Sequence, residues 1–510
     1  MYSKIISCGL YGIDGYIVEI ETDISSGIPA FDIVGLGDAA IREARERVRS
    51  AVKNSGYEFP LRRITMNMAP ANMKKEGSSF DLAIALGILA STGVIDHSKV
   101  CQAMFIGELS LDGEIKPVKG VLPMAVCAMQ NGIKFLFLPE VNAKEASVVK
   151  KLIVVPVRSL KETVEIIKGD TEIRQFIDDE NEKDTEYPYD VDFADVRGQE
   201  NVKRALEVAA SGGHNCLMLG SPGSGKTMLA RRLPTILPSM TFEESLEVTK
   251  IHSIAGILPA GVSLVKTRPF RSPHHTISDT GLVGGGSIPK PGEISLAHYG
   301  VLFLDELPEF SKKALESMRQ PLEDGVITIS RVNASLTYPA RTTLVCAANP
   351  CRCGYFLDPG GKCTCTPKQI QQYMGRMSGP LLDRIDIHIE VTPVKYNELD
   401  SAKPVENSAV IRERVERTRQ IQLERYRGMN IYSNSQLQPS MFPKFCRLDK
   451  ECKEILKNAF EKLGMSARAY SRILKVARTI ADMDMSDNIR PVHLSEAIHY
   501  RSLDRKLWNM

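Results

Sequence analysis

The sequence predicts an α/β protein built around a P-loop parallel sheet, with an α+β domain before the sheet and an all-helical lid after it. Three observations predict this. First, a glycine-rich turn, Gly220-Ser221-Pro222-Gly223-Ser224-Gly225-Lys226-Thr227, separates the apolar run Cys216-Leu217-Met218-Leu219 from a helical pattern opening at Met228. Second, another wholly apolar run, Val301 to Leu304, ends in the adjacent carboxylates Asp305 and Glu306. Third, beyond about Asn407 only helical patterns recur, at 408–427, 449–463, 467–483 and 491–501. Short apolar runs of this kind mark strands buried on both faces, as in a parallel sheet.

Strand, glycine-rich turn, Lys-Thr and helix together form the context of a phosphate-binding loop. The glycines let backbone N–H groups turn inward around the β- and γ-phosphates of a nucleotide. Lys226 adds a point charge, the Thr227 hydroxyl can ligate Mg²⁺, and the helix N-terminus favours the anion. The Val301 to Leu304 strand would deliver Asp305 to the Mg²⁺ shell and Glu306 to the attacking water. An apolar run followed by Asp-Glu is weak evidence alone and strong downstream of a phosphate loop. ATP and Mg²⁺ are the expected substrate and ion.

At 510 residues the chain exceeds one ordinary core, so two to four domains are expected. With 43% apolar and 25% charged residues, its composition is that of a globular protein. A net charge of +3 means that any nucleic-acid role rests on local basic patches. The first residues do not read as a secretory signal and the most apolar stretch, Leu82 to Leu89, is too short to span a bilayer. A cytoplasmic protein with no membrane partner is expected, and its 11 cysteines are not expected to form structural disulfides.

Residues 1–168 alternate apolar runs with helical patterns: strands at 17–21, 64–68, 105–109 and 135–139, a charged amphipathic helix at 39–54 and an apolar helix at 81–89. The stretches Lys75-Glu76-Gly77-Ser78-Ser79-Phe80-Asp81 and Gly107 to Gly120 resemble the proteolytic domain of Lon and the Lon-like domain of the recombination protein RadA. That resemblance puts Ser79 at the nucleophile position. It puts Leu122, which has no proton to move, at the position of the activating lysine, while Lys119 is near but out of register. A Lon-like scaffold without peptidase activity is expected.

Acidic residues crowd 169–192, which reads as a solvated linker. The ATPase core is expected over 193–400 and the lid over 401–510. Gly198-Gln199 before an amphipathic helix is common ahead of the phosphate loop in AAA+ proteins, with its backbone near the adenine. Thr227 and Asp305 stand 78 positions apart, more than the fold needs, so an insert is expected between them. The run Thr342 to Ala348 ends at Asn349, which fits the sensor-1 position, although a strand-capping Asn is the plain alternative. By AAA+ resemblance Arg384, after Leu381-Leu382-Asp383, is an arginine finger for the neighbouring subunit's nucleotide, with Arg376 as runner-up. Arg468 resembles sensor 2, an arginine reaching the γ-phosphate, and Arg472 competes with it.

In this order the pieces resemble the magnesium-chelatase-like AAA+ family typified by YifB and ComM, nearly end to end. The most specific strings are Arg268-Pro269-Phe270-Arg271-Ser272-Pro273-His274-His275-Thr276-Ile277-Ser278, Leu282-Val283-Gly284-Gly285-Gly286 and Pro291-Gly292-Glu293-Ile294-Ser295-Leu296-Ala297-His298. The resemblance implies a helix-2 insert there and a pre-sensor-1 hairpin at 327–337, both pointing into the pore of a homo-hexameric ring. Arg268, Arg271, His274, His275, Lys290 and Arg331 would then contact a DNA backbone without reading sequence. The implied function is an ATP-dependent DNA helicase promoting branch migration, in natural transformation or recombination, on single-stranded or branched DNA. A chelatase-like remodeller of a protein partner and an ATP-dependent protease using Ser79 are the competing functions.

Cys351-x-Cys353 and Cys363-x-Cys365, with nine residues between the pairs, suit a tetrahedral structural zinc. The spacing is tighter than the common Cys-x₂-Cys, and reduced thiols or two disulfides are the alternatives.

Overall fold

The computed structural model describes residues 1–177, 189–259, 261–286, 289–331, 334–356, 360–377, 379–394, 396–400, 405–463, 465–501 and 503. Much of the acidic stretch read as a linker, the first lid residues 401–404 and the hairpin tip 332–333 lie outside the described residues. The chain divides into two compact units, Met1–Thr185 with Ser245–Val265, and Glu186–Glu244 with Lys266–Met510.

The first unit holds a mixed seven-stranded sheet. Its order is Ala30–Val34, Arg63–Ala69, Asp14–Ser25, Tyr2–Tyr11, Ala103–Phe105, Phe135–Pro139, Ile153–Val157. Helix Ala39–Asn54 is N-capped by the Asp38 carboxylate, which accepts from the Ile41 N–H at 3.0 Å. It buries Ile41, Ala44, Val48, Ala51 and Val52, a stripe at helical spacing that turns its charges outward. Helix Asp81–Ser91 is buried almost all round, and the Arg47 guanidinium donates to both Asp81 oxygens at 2.8 and 3.1 Å.

The strand expected at 105–109 is two strands, Ala103–Phe105 and Glu108–Leu109. The break falls where the Gly107 N–H donates to the Ser79 carbonyl at 2.9 Å and where a Cβ would come within 2.7 Å of Ile115. Residues 245–265, read from sequence as part of the ATPase core, belong to this first unit. Here the Ser253 hydroxyl donates to Glu145, and Lys250 pairs with Asp14 at 3.3 Å.

The second unit holds a five-stranded sheet in the order Phe270–Arg271, Val301–Leu304, Thr343–Ala348, Cys216–Leu219, Ile387–Glu390. Every pairing in it is parallel. The central strands are apolar and buried, which places their C-terminal ends, where chemistry gathers in such sheets, side by side. C-terminal helices Ser408–Arg425 and Ala467–Met483 share one apolar cluster with helix Glu200–Gly212, through Leu206, Val415, Ile473 and Ile480. No helix among the described residues is long and apolar enough to cross a membrane.

Candidate nucleotide site

The phosphate loop grows from the end of Cys216–Leu219 and passes into helix Lys226–Ile236. Gly220 is confined: a Cβ there would lie 2.2 Å from the Val391 carbonyl oxygen. Gly223 and Gly225 hold φ of 75° and 90°, the left-handed region that glycine enters without penalty. The Lys226 ammonium donates to the carbonyls of Gly220 and Ser221 at 2.8 and 2.9 Å and to the Asn349 amide oxygen at 3.3 Å. Burial pushes Lys226 below the ordinary lysine value, against the pull of Asp305 and Glu306.

The Thr227 hydroxyl donates to Asp305 at 2.7 Å. Two oxygens held this close, one anionic, fit the hard-oxygen shell of Mg²⁺. The buried Ser221 hydroxyl has no hydrogen-bond partner among the described residues and is available to a ligand in the loop. Lys226, Thr227, Asp305 and Asn349, drawn from three strand ends, thus meet in one place.

Two contacts at this site go beyond the sequence reading, that of the Gln199 side chain with the loop and that of His275 with Glu306. The Gln199 side chain donates to the Ser224 carbonyl at 2.7 Å and to the Thr392 carbonyl at 3.1 Å, so it braces the loop from outside. Glu306 sits at φ 52°, left-handed for a residue with a Cβ, and pairs with the His275 imidazole at 3.3 Å. His275 packs on His274, ring centroids 4.1 Å apart, and meets the edge of Phe310. It had been read as a phosphate contact, but the structure turns it onto the second carboxylate of the strand end.

The basic residues expected on DNA separate. Arg268 is turned inward: its guanidinium donates to the carbonyls of Pro238, Ser239 and Tyr299 and pairs with Glu244 at 3.0 Å. With four of its five N–H donors engaged inside the protein, Arg268 braces a loop in this structure, where the sequence reading expects a DNA contact. Arg271 is half-neutralised, donating to both Glu293 oxygens at 2.6 and 2.7 Å. His274 is exposed, and its ring pairs with the Thr276 hydroxyl at 2.9 Å. Lys290 is exposed on a ribbon in which Lys290–Pro291 pairs with Gly284–Gly285. Arg331 ends strand Val326–Arg331, and the reading of its side chain lies outside the described residues.

Arg384 is only 7% exposed and pairs with Glu323. The Arg468 guanidinium pairs with Asp383 at 2.6 Å. Both line a cleft of about 360 Å³ with Arg472 and Lys475, and no phosphate-loop residue lines it. Arg468, read from sequence as a sensor-2 arginine, thus shares its cleft with Arg384. Arg472 is drawn inward to Asp386 at 3.0 Å, and Arg376 pairs with Glu309 at 3.1 Å. Leu122, at the position of the activating lysine in the Lon resemblance, is fully buried.

The four clustered cysteines converge. Their sulfurs all lie within 4.8 Å of one another, with Cys351–Cys353 at 3.3 Å, Cys353–Cys363 at 3.6 Å and Cys351–Cys363 at 3.8 Å. All are free thiols, which removes the disulfide alternative. Four thiols drawn together in this way are compatible with a structural zinc.

Parallel sheet, phosphate loop and helical C-terminal region define an AAA+-like P-loop protein. Three family models match in series: magnesium chelatase subunit ChlI over residues 192–399, subunit ChlI of Mg-chelatase over 20–142, and the ChlI C-terminal region over 405–501. The chain is 44% identical to Competence protein ComM of Haemophilus influenzae, over 98% of each chain. It is 41% identical to YifB of Escherichia coli, a protein described as uncharacterized, over 97% of this chain and 96% of that one. A partial match, 21% identical over 61% of this chain and 36% of the other, reaches the maternal DNA replication licensing factor mcm6 of Xenopus tropicalis. The chain belongs to the magnesium-chelatase-like YifB/ComM family.

Proposed function

We propose that the protein is an ATP-driven hexameric DNA motor that promotes branch migration during homologous recombination or natural transformation. The observation that carries this reading is the pairing of Glu306 with His275. His275 belongs to the segment between the Phe270–Arg271 strand and the ribbon bearing Lys290, so a ligand on that segment has a direct line to the hydrolytic carboxylate. The names of two relatives, a competence protein and a DNA replication licensing factor, support DNA as that ligand.

In this reading Gly220, Ser221, Pro222, Gly223, Ser224 and Gly225 turn their backbone around the phosphates, and Lys226 releases its carbonyl partners to meet them. Thr227 and Asp305 would hold Mg²⁺, which neutralises charge on the β- and γ-oxygens. Glu306 accepts a proton from the attacking water and Asn349 orients that water. Arg384, with Arg468 beside it, serves the nucleotide of the neighbouring subunit, which makes the ring a requirement for hydrolysis. Lys290, Arg271, His274 and Arg331 supply backbone contacts. The Lon-like domain is a scaffold without peptidase activity.

Branch migration exchanges base pairs at little net cost, so ATP supplies direction. The name of the matched family keeps one other reading, a remodeller of a protein partner. The test is the ATPase rate with and without single-stranded or forked DNA at low salt. Stimulation and binding support the DNA reading; absence of both overturns it.

A further inference from the structure

We propose that Cys351, Cys353, Cys363 and Cys365 bind one Zn²⁺ and that this ion holds the phosphate loop and Asn349 in working position. The inference rests on the nucleotide-site reading and not on the DNA reading.

The donor set selects the metal. Four sulfurs and no carboxylate or imidazole favour a thiophilic ion over Mg²⁺ or Ca²⁺. A ZnS₄ tetrahedron with Zn–S of about 2.3 Å has sulfur–sulfur edges of about 3.8 Å. Three of the pairs stand at 3.3, 3.6 and 3.8 Å, and the whole set lies within 4.8 Å, so small side-chain movements complete the shell. A disulfide would need sulfurs at about 2.05 Å. Each thiol binds as thiolate and gives its proton to solvent. With four protein ligands the shell is closed, so the ion is structural.

Placement gives the ion a task. Cys351 follows Asn349-Pro350 directly out of strand Thr343–Ala348, and that strand pairs in register with the phosphate-loop strand, Leu219 opposite Ala348. Asn349 accepts from Lys226 at 3.3 Å. On the other side of Cys353, Gly354 turns at φ 87° and donates its N–H to the Cys351 carbonyl at 3.0 Å. Its α-carbon lies against the Pro222 ring: a Cβ there would come within 2.5 Å of the ring. The second cysteine pair leads into helix Pro367–Met374, opened by a Thr366–Gln369 capping box. The cysteine knuckle therefore touches the phosphate loop at Pro222 and feeds Asn349 to Lys226. The ion would add a tie between the two cysteine pairs that flank this turn.

The test uses the full-length protein, its zinc content and its affinity for a fluorescent ADP analogue. Affinity of the untreated protein is measured first, so a failed nucleotide site shows itself apart from a failed zinc site. We expect about one zinc per chain. Release by a thiol-specific mercurial should weaken nucleotide affinity roughly tenfold, the loss of about one well-placed hydrogen bond to Lys226. Removing the mercurial with excess thiol and adding zinc should restore it. Cys353→Ser should lose zinc and affinity together. Gly354→Ala should keep zinc and still lose affinity, because the new methyl group displaces Pro222. A chain that neither carries zinc nor takes it up when reduced would overturn the proposal. So would zinc release that leaves nucleotide affinity unchanged.

Discussion

Glu306 holds a left-handed backbone that costs a side-chain-bearing residue about 1–2 kcal/mol, and it spends its carboxylate on His275. An imidazole there would compete with water for Glu306, the proposed proton acceptor. His275→Ala should therefore leave nucleotide affinity unchanged and cut the ratio of DNA-stimulated to basal ATPase, by about fivefold if the contact is worth about 1 kcal/mol. Steady-state rates with and without DNA read this directly, and an unchanged ratio would remove His275 from the coupling path. At this scale the sequence was informative only where chemistry sits at the end of an apolar run. Lys226, Asp305 and Asn349 each follow a buried strand, so their convergence was legible. His275 lies in an irregular segment, and nothing in its spacing announces Glu306. The surroundings of Arg268 were hidden for a related reason: a loop arginine looks the same in sequence whether it faces solvent or the carbonyls of Pro238 and Tyr299.

The insert between helix Lys226–Ile236 and strand Val301–Leu304 divides its charges between bracing and presentation. Arg268 ties together segments 238–244 and 299, whereas Lys290 stands exposed on the ribbon. Arg268→Ala should lower stability by about 2–3 kcal/mol, through the buried hydrogen bonds and the Glu244 pairing it removes, and leave DNA affinity per folded molecule unchanged. Lys290→Ala should leave stability unchanged, weaken DNA binding across sequences and reduce the salt slope by about one. Thermal melts paired with salt-dependent DNA titrations separate the two. Strand and helix existence was largely legible, since periods of two and 3.6 survive in the sequence. Membership of a unit was not. Residues 245–265 join the first unit through Ser253 and Lys250, contacts to Glu145 and Asp14 that lie more than a hundred positions away.

For the whole molecule the decisive feature is that Arg384 and Arg468 share a cleft that their own phosphate loop does not line. In the proposed ring these arginines serve a neighbour's nucleotide, so hydrolysis would require assembly. Arg384→Ala should bind nucleotide normally and lose hydrolysis by about 10³-fold or more, the scale of an arginine finger. Doping such subunits into wild-type rings should depress the rate more than in proportion to their share. A proportional decline would place Arg384 in its own subunit's stability instead. The most direct test of the central claim is the ATPase rate of the full-length chain at low salt, titrated with forked DNA. Glu306→Gln serves as the control that binds ATP and DNA without turnover. The account predicts a saturable rise in wild-type rate that disappears in Glu306→Gln. A wild-type rate indifferent to DNA, with no DNA bound at low salt, would contradict it.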